Sequence, residues 1–442
     1  MNNPKRRLWD AATEAMAPDA RAALQLRGLR SLLAWATARS PMYRERLAGI
    51  DARAVRTLAD FAAVVQLTTK DDLRAAMQQH GSALPHLCVP RETLVLAGPS
   101  AGTSGRQTYQ AFDAQDVDRN VELLARLYWA AGMRRGDVMH LLVTPFTPAA
   151  DIFREAAQRV GVRWVVRDNH EPAQVARYVD AARALEPGFL QAGVSTLRAM
   201  AQHARAHPAA GARALPYRRA ILMGAALAPE ARAQFQTELG IEVSTLSGQG
   251  SDFNLFAGEC EAQDGEHWHG EDLSWVEVID PVNGRAVADG EVGEMVITDF
   301  YRRATPHLRW RTEDMVRVHP GSCRCGRTSR RFTLLDRVAN RVAVGDGAVY
   351  PYQVETALSG SDDGRNLEFS LVRTRPAAPV PPVLEVRLLR PTGLANADAA
   401  ALARRLQGHL DATLGVPTRV SLHDDLPRVG YKTVRVIEDA PA

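Results

Sequence analysis

The chain has 442 residues, 46% of them hydrophobic, enough to bury a large core and to divide into two or three domains. Its 54 basic and 51 acidic side chains leave a net charge of +3, no field that would draw nucleic acid or a membrane surface, so the expected partner is a small molecule. No run approaches the roughly 18 apolar residues that span a bilayer, and the opening Met1-Asn-Asn-Pro-Lys-Arg-Arg7 lacks the apolar stretch of a signal peptide, which predicts a cytoplasmic protein.

In chain order, Pro18-Asp19 starts a helix whose Leu26, Leu29, Leu33 and Ala36 fall on one face. From about residue 137 short apolar runs alternate with helical stretches. Val138–Val143, Val162–Val166, Ala220–Met223 and Ile241–Leu246 read as strands, and Glu171–Leu185 as a helix between them, a pattern that implies parallel strands joined by crossover helices. Between Trp275 and Thr298 two β-rich runs flank Pro281-Val-Asn-Gly284, a hairpin that predicts an antiparallel region after the α/β layer. A smaller unit begins near Asp336, with a proline-rich link at Pro376–Pro382, a strand at Val383–Leu389 and a helix at Ala399–Leu414. The fold class expected is α/β: an N-terminal domain over 1–335 with mixed and parallel sheets flanked by helices plus the antiparallel region, and a small α+β domain over 336–442.

Three segments carry chemistry. Ser100-Ala-Gly-Thr-Ser-Gly-Arg-Gln-Thr108 follows the apolar run Leu94-Val-Leu96. Gly102 and Gly105 allow close backbone approach to phosphate oxygens, and Ser100, Thr103, Ser104 and Thr108 offer hydroxyl donors, although a solvated Ser/Gly turn has the same composition. In Arg309-Trp-Arg-Thr-Glu-Asp314 the last carboxylate can accept both hydroxyls of a ribose, and a surface ion-pair run is the alternative. The third is Leu426-Pro-Arg-Val-Gly-Tyr-Lys432-Thr-Val-Arg435. The chain's lysines are Lys5, Lys70 and Lys432 alone, so few are present to fall in such a segment by chance. Separately, Cys260, His267, Cys323 and Cys325 form a candidate zinc set of thiolates and imidazole, with His269 competing for the imidazole place and inert buried thiols as the alternative.

Taken in order, these segments resemble the phenylacetate-CoA ligase branch of the adenylate-forming superfamily, from Leu8-Trp9 to Glu438. Ser40-Pro-Met-Tyr-Arg44 and Thr68-Thr-Lys-Asp-Asp-Leu73 are similar to that family's Ser-Pro-Phe-Tyr-Arg and Thr-Thr-Lys-Asp-Asp-Leu. The loop at Ser100 resembles its Ser-Ser-Gly-Thr-Thr-Gly-Lys-Pro-Thr, Gly224-Ala225 its adenine-side turn, and Arg309–Asp314 its Arg-Tyr-Arg-Thr-x-Asp. Cys323-Arg-Cys-Gly-Arg327, Leu426-Pro-Arg428 and Lys432-x-x-Arg435 match almost letter for letter.

The resemblance implies ATP-dependent activation of a carboxylic acid, aromatic or heteroaromatic, as an acyl-adenylate, then transfer to coenzyme A. It implies that Ser100, Gly102, Thr103, Ser104, Gly105 and Arg106 hold the phosphates, Gly224, Ala225, Ser247 and Gly248 the adenine side, and Asp314 the ribose. Arg337 would sit near a hinge about which the C-terminal domain moves, and Lys432 would serve adenylation. Magnesium, structural zinc and a homodimer are further family-level expectations.

The departures matter too. Arg106 replaces a lysine, keeping the charge as a planar fork. The family's Tyr-Gly-Leu-Ser-Glu reads Ser247-Gly-Gln-Gly-Ser251, which removes an aromatic and a magnesium-binding acid, with Asp252 as a substitute one place on. Its hinge Arg-Ser-Asp-Asp reads Arg337-Val-Ala-Asn340. Pro145–Ala150 departs from a glycine-rich stretch of relatives. Two other outcomes stay open on these grounds: transfer of the acyl group to an amine, and a binding protein that has lost catalysis.

Overall fold

The computed structural model describes residues 7–99, 107–143, 148–168, 174–207, 214–223, 227, 229–249, 254–365, 367–374, 380–391, 393–429 and 432–438. Among these, eleven strands make one sheet. Across it they run Ser274–Ile279, Val292–Asp299, Trp310–His319, Arg331–Arg337, Glu266–Trp268, Asn254–Glu259, Glu242–Gln249, Arg219–Met223, Phe189–Gly193, Val138–Leu142 and Trp164–Asp168. The last five pair in parallel and the rest antiparallel.

The expected strands are there, and the helix expected over Glu171–Leu185 runs Val175–Leu185, its first three residues lying outside the described ones. Two features go beyond the sequence reading. Phe189–Gly193 is a further parallel strand, short and interrupted by the polar Gln191. The expected antiparallel region, whose relation to the parallel sheet the sequence did not specify, continues that same sheet, because the strands of His267 and Phe332 pair, with Arg331 opposite His267 and Phe332 opposite Glu266. Helices cover the parallel half, and buried Leu141, Leu190, Leu222 and Val243 face them from successive strands.

Beyond Arg337 the chain makes a second, four-stranded sheet in the order Thr418–His423, Leu384–Leu389, Phe369–Arg373, Val436–Glu438. Leu371, Val386 and Leu388 bury against Leu406 and Leu410 of the helix Asn396–Leu414, the alternation of a one-faced sheet meeting an amphipathic helix. Of the proline-rich link, residues 376–379 lie outside the described ones. Among the described residues no helix is long and apolar enough to cross a membrane.

The N-terminal motifs build this frame. Ser40 caps the helix Pro41–Arg46 by accepting from the Tyr43 amide and donates to the Pro85 carbonyl, while the Tyr43 hydroxyl reaches the Pro306 carbonyl at 2.8 Å. Thr69 and Asp72 form a reciprocal capping box that starts the helix Lys70–Gln79. The neighbouring Thr68 amide donates to the Arg309 carbonyl and the Arg311 amide to the Thr68 carbonyl, so this segment is stitched to the start of the strand Trp310–His319, where the Arg309–Asp314 motif lies.

Arg309 is no surface residue. It is buried at a φ of 42°, and its guanidinium forks onto Glu277 at 3.0 and 2.8 Å while also donating to the Val65 carbonyl. Removing one member of a buried pair strands the other charge. Arg309→Ala should therefore cost about 3–5 kcal/mol of stability in a denaturant titration. A loss below about 1 kcal/mol, the range of exposed pairs, would contradict this reading of the contact.

Candidate active site

Where the large sheet meets the C-terminal unit lies a cavity of about 450 Å³. On one side it is lined by Gly193, Met223, Ser247 and Gly248, at or near the carboxyl ends of parallel strands, the usual binding place in such sheets. Asp314 and Arg337 come from the antiparallel half. Tyr352, Glu355, Thr433 and Arg435 close it from the C-terminal unit.

Asp314 and Arg337 face each other on neighbouring antiparallel strands. Arg337 donates to the Asp314 carboxylate at 2.8 Å and to that of Glu313 at 3.0 Å. Burial pulls the Arg337 guanidinium down, but the two carboxylates outweigh it and hold it above the ordinary arginine range. The Asp314 amide donates to the Thr312 hydroxyl, which in turn donates to the Met295 carbonyl, so the carboxylate leaves a fixed piece of strand. Glu313 has a φ of 63°, a left-handed conformation that side chains seldom adopt, and its carboxylate and that of Asp314 both reach the Arg337 guanidinium.

Past Arg337, the turn Val338–Asn340 is held by Asp336, which accepts from the Asn340 side chain at 2.7 Å and from the Tyr352 amide at 3.0 Å. Burial raises the Asp336 carboxyl despite these bonds. Asn340, read from sequence as a lost acid, thus serves as a donor to one that remains. Beneath Ser247, Glu266 is buried; burial pushes its carboxyl up to about 7, with the Ser247 and Thr245 hydroxyls pulling it back.

Ser247, Gly248, Asp314 and Arg337 therefore share one cavity. Ser100, Gly102, Thr103, Ser104, Gly105, Arg106, Gly224, Ala225 and Asp252 lie outside the described residues, as do residues 145–147 of the Pro145–Ala150 stretch. Lys432 is in the short strand Lys432–Thr433, paired with Arg428–Val429, and the next residue, Thr433, lines the cavity.

Apart from the cavity, Cys260, His267, Cys323 and Cys325 bring one donor atom each within 4.8 Å of one another. The Cys260 and Cys323 sulfurs are 3.7 Å apart, and His267 Nε2 is 3.3 Å from the Cys325 sulfur. A tetrahedral ion with sulfur bonds of roughly 2.3 Å has edges of about 3.8 Å, so the set fits such an ion. His267 Nδ1 is 3.1 Å from the Ser329 hydroxyl, which orients the ring as outer partners of metal-bound imidazoles do. His269 instead turns its Nε2 to the Gly258 carbonyl at 3.2 Å and stays out of the cluster. The loop is tied to the N-terminus by a buried ion pair between Arg327 and Glu14 at 2.6 Å.

No protein-family profile matches the chain. It is 29% identical over 344 residues to a phenylacetate-coenzyme A ligase of Thermus thermophilus, across 76% of this chain and 74% of that one. Against the phenylacetate-coenzyme A ligase of Escherichia coli it is 27% identical over 353 residues, 77% of each chain. Among solved structures, 99% of the chain overlays on 94% of a 2-hydroxyisobutyryl-CoA ligase in its postadenylation state with 2-HIB-AMP, at a TM-score of 0.89 and 23% identity. The sequence is thus similar to those of phenylacetate-coenzyme A ligases, and the fold is that of the 2-hydroxyisobutyryl-CoA ligase. The same 2-hydroxyisobutyryl-CoA ligase in its thioesterification state, with CoA, overlays on 99% of this chain and 94% of its own at 0.72 and 22% identity. On this fold, two cavity residues that no ligase motif marked are Arg198 and Glu355. The missed strand Phe189–Gly193 delivers the first of them, since the helix Val194–Ala206 begins where that strand ends.

Proposed function

We propose that the chain activates a carboxylic acid with ATP and passes the acyl group to coenzyme A. The observation that carries this is the cavity itself. It joins the carboxyl ends of the parallel strands to Asp314 and Arg337, and the segment that includes Lys432 closes over it. A carboxylate oxygen attacks the α-phosphorus, the bond to the β-phosphate oxygen breaks, and pyrophosphate leaves. The coenzyme A sulfur then attacks the acyl carbon, its proton passes to solvent, and AMP departs with the carbonyl–oxygen bond electrons. Activation is needed because a resonance-stabilised carboxylate is a poor acyl donor, whereas AMP is a good leaving group.

In this reading Asp314 binds the ribose hydroxyls, Arg337 holds the Asp314 carboxylate in place, and Ser247 and Gly248 border the adenine. Lys432 supports the charge shared by the attacking oxygen and the phosphate. Residues 336–442 move as a unit against 1–335 between the two steps. Magnesium would offset charge on the phosphates, with Asp252 as the acid nearest the position of the family's glutamate. ATP and coenzyme A place the reaction in the cytoplasm.

Pyrophosphate release over a panel of aryl, heteroaryl and short aliphatic acids tests the first step, and coenzyme A consumption the second. Acid-dependent pyrophosphate without coenzyme A consumption, but with amide formed from an added amine, would replace the acceptor. Absence of pyrophosphate with every acid would overturn the reading.

Asp314→Ala should weaken ATP binding by roughly 2–3 kcal/mol, because ribose hydroxyls lose a charged acceptor in a site that has displaced their water. Unchanged ATP affinity by calorimetry would put the nucleotide elsewhere. Lys432→Ala should slow acyl-adenylate formation by a factor on the order of 100 to 1,000, while supplied acyl-adenylate still reacts with the acceptor at a near-normal rate. Equal damage to both half-reactions would make the lysine structural.

We also propose that Cys260, His267, Cys323 and Cys325 hold a structural zinc ion that ties the loop at Cys323 to Cys260, just past the strand Asn254–Glu259, and to His267 on the strand Glu266–Trp268. Protein purified without added zinc should contain about one equivalent per chain, and Cys323→Ser should lower the melting temperature. Metal-free protein with the melting temperature of the native preparation would remove zinc from the account.

A further inference from the structure

Arg198 and Glu355 meet across the seam between the two sheets. Arg198 is in the first turns of the helix Val194–Ala206, and Glu355 is in the helix Pro351–Ser359 beyond the turn at Arg337. The Arg198 Nη2 is 3.9 Å from one oxygen of Glu355, and the Arg435 Nη2 is 3.3 Å from the other. The side chains of Arg198 and Glu355 are each 14% exposed, so the carboxylate sits between two guanidinium groups largely out of water. Burial lowers the Arg198 guanidinium, Glu355 restores part of the loss and Arg435 opposes it.

Arg435 is also held from behind. Its guanidinium lies 4.3 Å above the Phe369 ring, and its carbonyl accepts from the Leu371 amide at 2.8 Å. The residue before it, Val434, accepts at its carbonyl from the Ser370 hydroxyl at 2.7 Å, and Thr433 donates to Glu368. Glu355 therefore links the segment Lys432–Arg435 to a helix of the large sheet.

We propose that Glu355, clasped between Arg198 and Arg435, is a positioning residue that holds the C-terminal unit, and with it Lys432, over the cavity for the first half-reaction. The proposal rests on the adenylation reading above. The chain overlays better on the postadenylation state of the 2-hydroxyisobutyryl-CoA ligase than on its thioesterification state, so this is one of at least two arrangements open to the fold. An ion pair across the seam exists only while the two units are so placed, and it favours that placement by the free energy it supplies there alone. Breaking it must cost the first step and spare the second.

The test uses full-length Arg198→Gln, Glu355→Gln and the double variant. Single-turnover acyl-adenylate formation should slow roughly tenfold in each single variant, the effect of an ordinary coupling between neighbouring charges, and no further in the double variant. Transfer from supplied acyl-adenylate should be unchanged or faster. A second readout needs no chemistry: donor and acceptor dyes on non-natural residues at exposed Gln202 and Arg404 should show the native transfer-efficiency peak depleted in all three variants. Additive losses in the double variant, equal slowing of both half-reactions, or an unchanged dye distribution would overturn the clasp. If the unaltered enzyme forms pyrophosphate with no acid, the functional reading fails, and the dye distribution still decides whether the clasp holds the two units.

Discussion

Glu277 and Arg309 meet where neither is more than 9% exposed, and the route of the strand bearing Asp314 depends on that meeting. The arginine takes up a left-handed backbone, forks onto the carboxylate and donates to carbonyls of the N-terminal helices. Without its partner each charge would be left in a medium that solvates it poorly. Through the paired bonds between Thr68 and the Arg309–Arg311 segment, the N-terminal helices, the antiparallel strands and the cavity wall become one frame. Asp314 and Arg337 can then face each other across a fixed register.

On that frame the site is an electrostatic seam. Arg337 is shared by Glu313 and Asp314, Glu355 by Arg198 and Arg435, and all but Glu313 line the same cavity. Cations alternating with carboxylates keep the charge along the seam balanced. The large sheet contributes the strand ends and Asp314 to the cavity wall, and the C-terminal unit contributes Tyr352, Glu355, Thr433 and Arg435. The Cys/His cluster lies apart, and the ion pair of Arg327 with Glu14 ties the segment that follows Cys325 to the N-terminal part of the chain.

Much of this was legible because it is local. Thr69 and Asp72 stand three apart and cap their own helix, and Ser40 does the same for the next residues, so those motifs could be read from order alone. Apolar runs such as Val138–Leu142 declare buried parallel strands. What stayed hidden depends on pairing between distant segments. Nothing near His267 says that Arg331 will lie opposite it and make the antiparallel region continuous with the parallel strands. Phe189–Gly193 is five residues with a glutamine inside, too short and too polar to stand out. The choice of His267 over His269 follows from the Gly258 carbonyl, which engages the second ring. Arg198 and Glu355 carry no motif, and only the packing of two units makes them neighbours.

Acyl-adenylate formation in this cavity is the central proposed step, and isotope transfer reads it without assuming the acceptor. An acid that supports turnover is prepared with oxygen-18 in its carboxylate and incubated with enzyme, ATP and acceptor, and the products are examined by mass spectrometry. Attack on the α-phosphorus leaves one carboxylate oxygen on the phosphate when the acyl group departs, so AMP should carry a single oxygen-18 and pyrophosphate none. Label in inorganic phosphate with ADP as co-product, or unlabelled AMP during acid-dependent turnover, would contradict it.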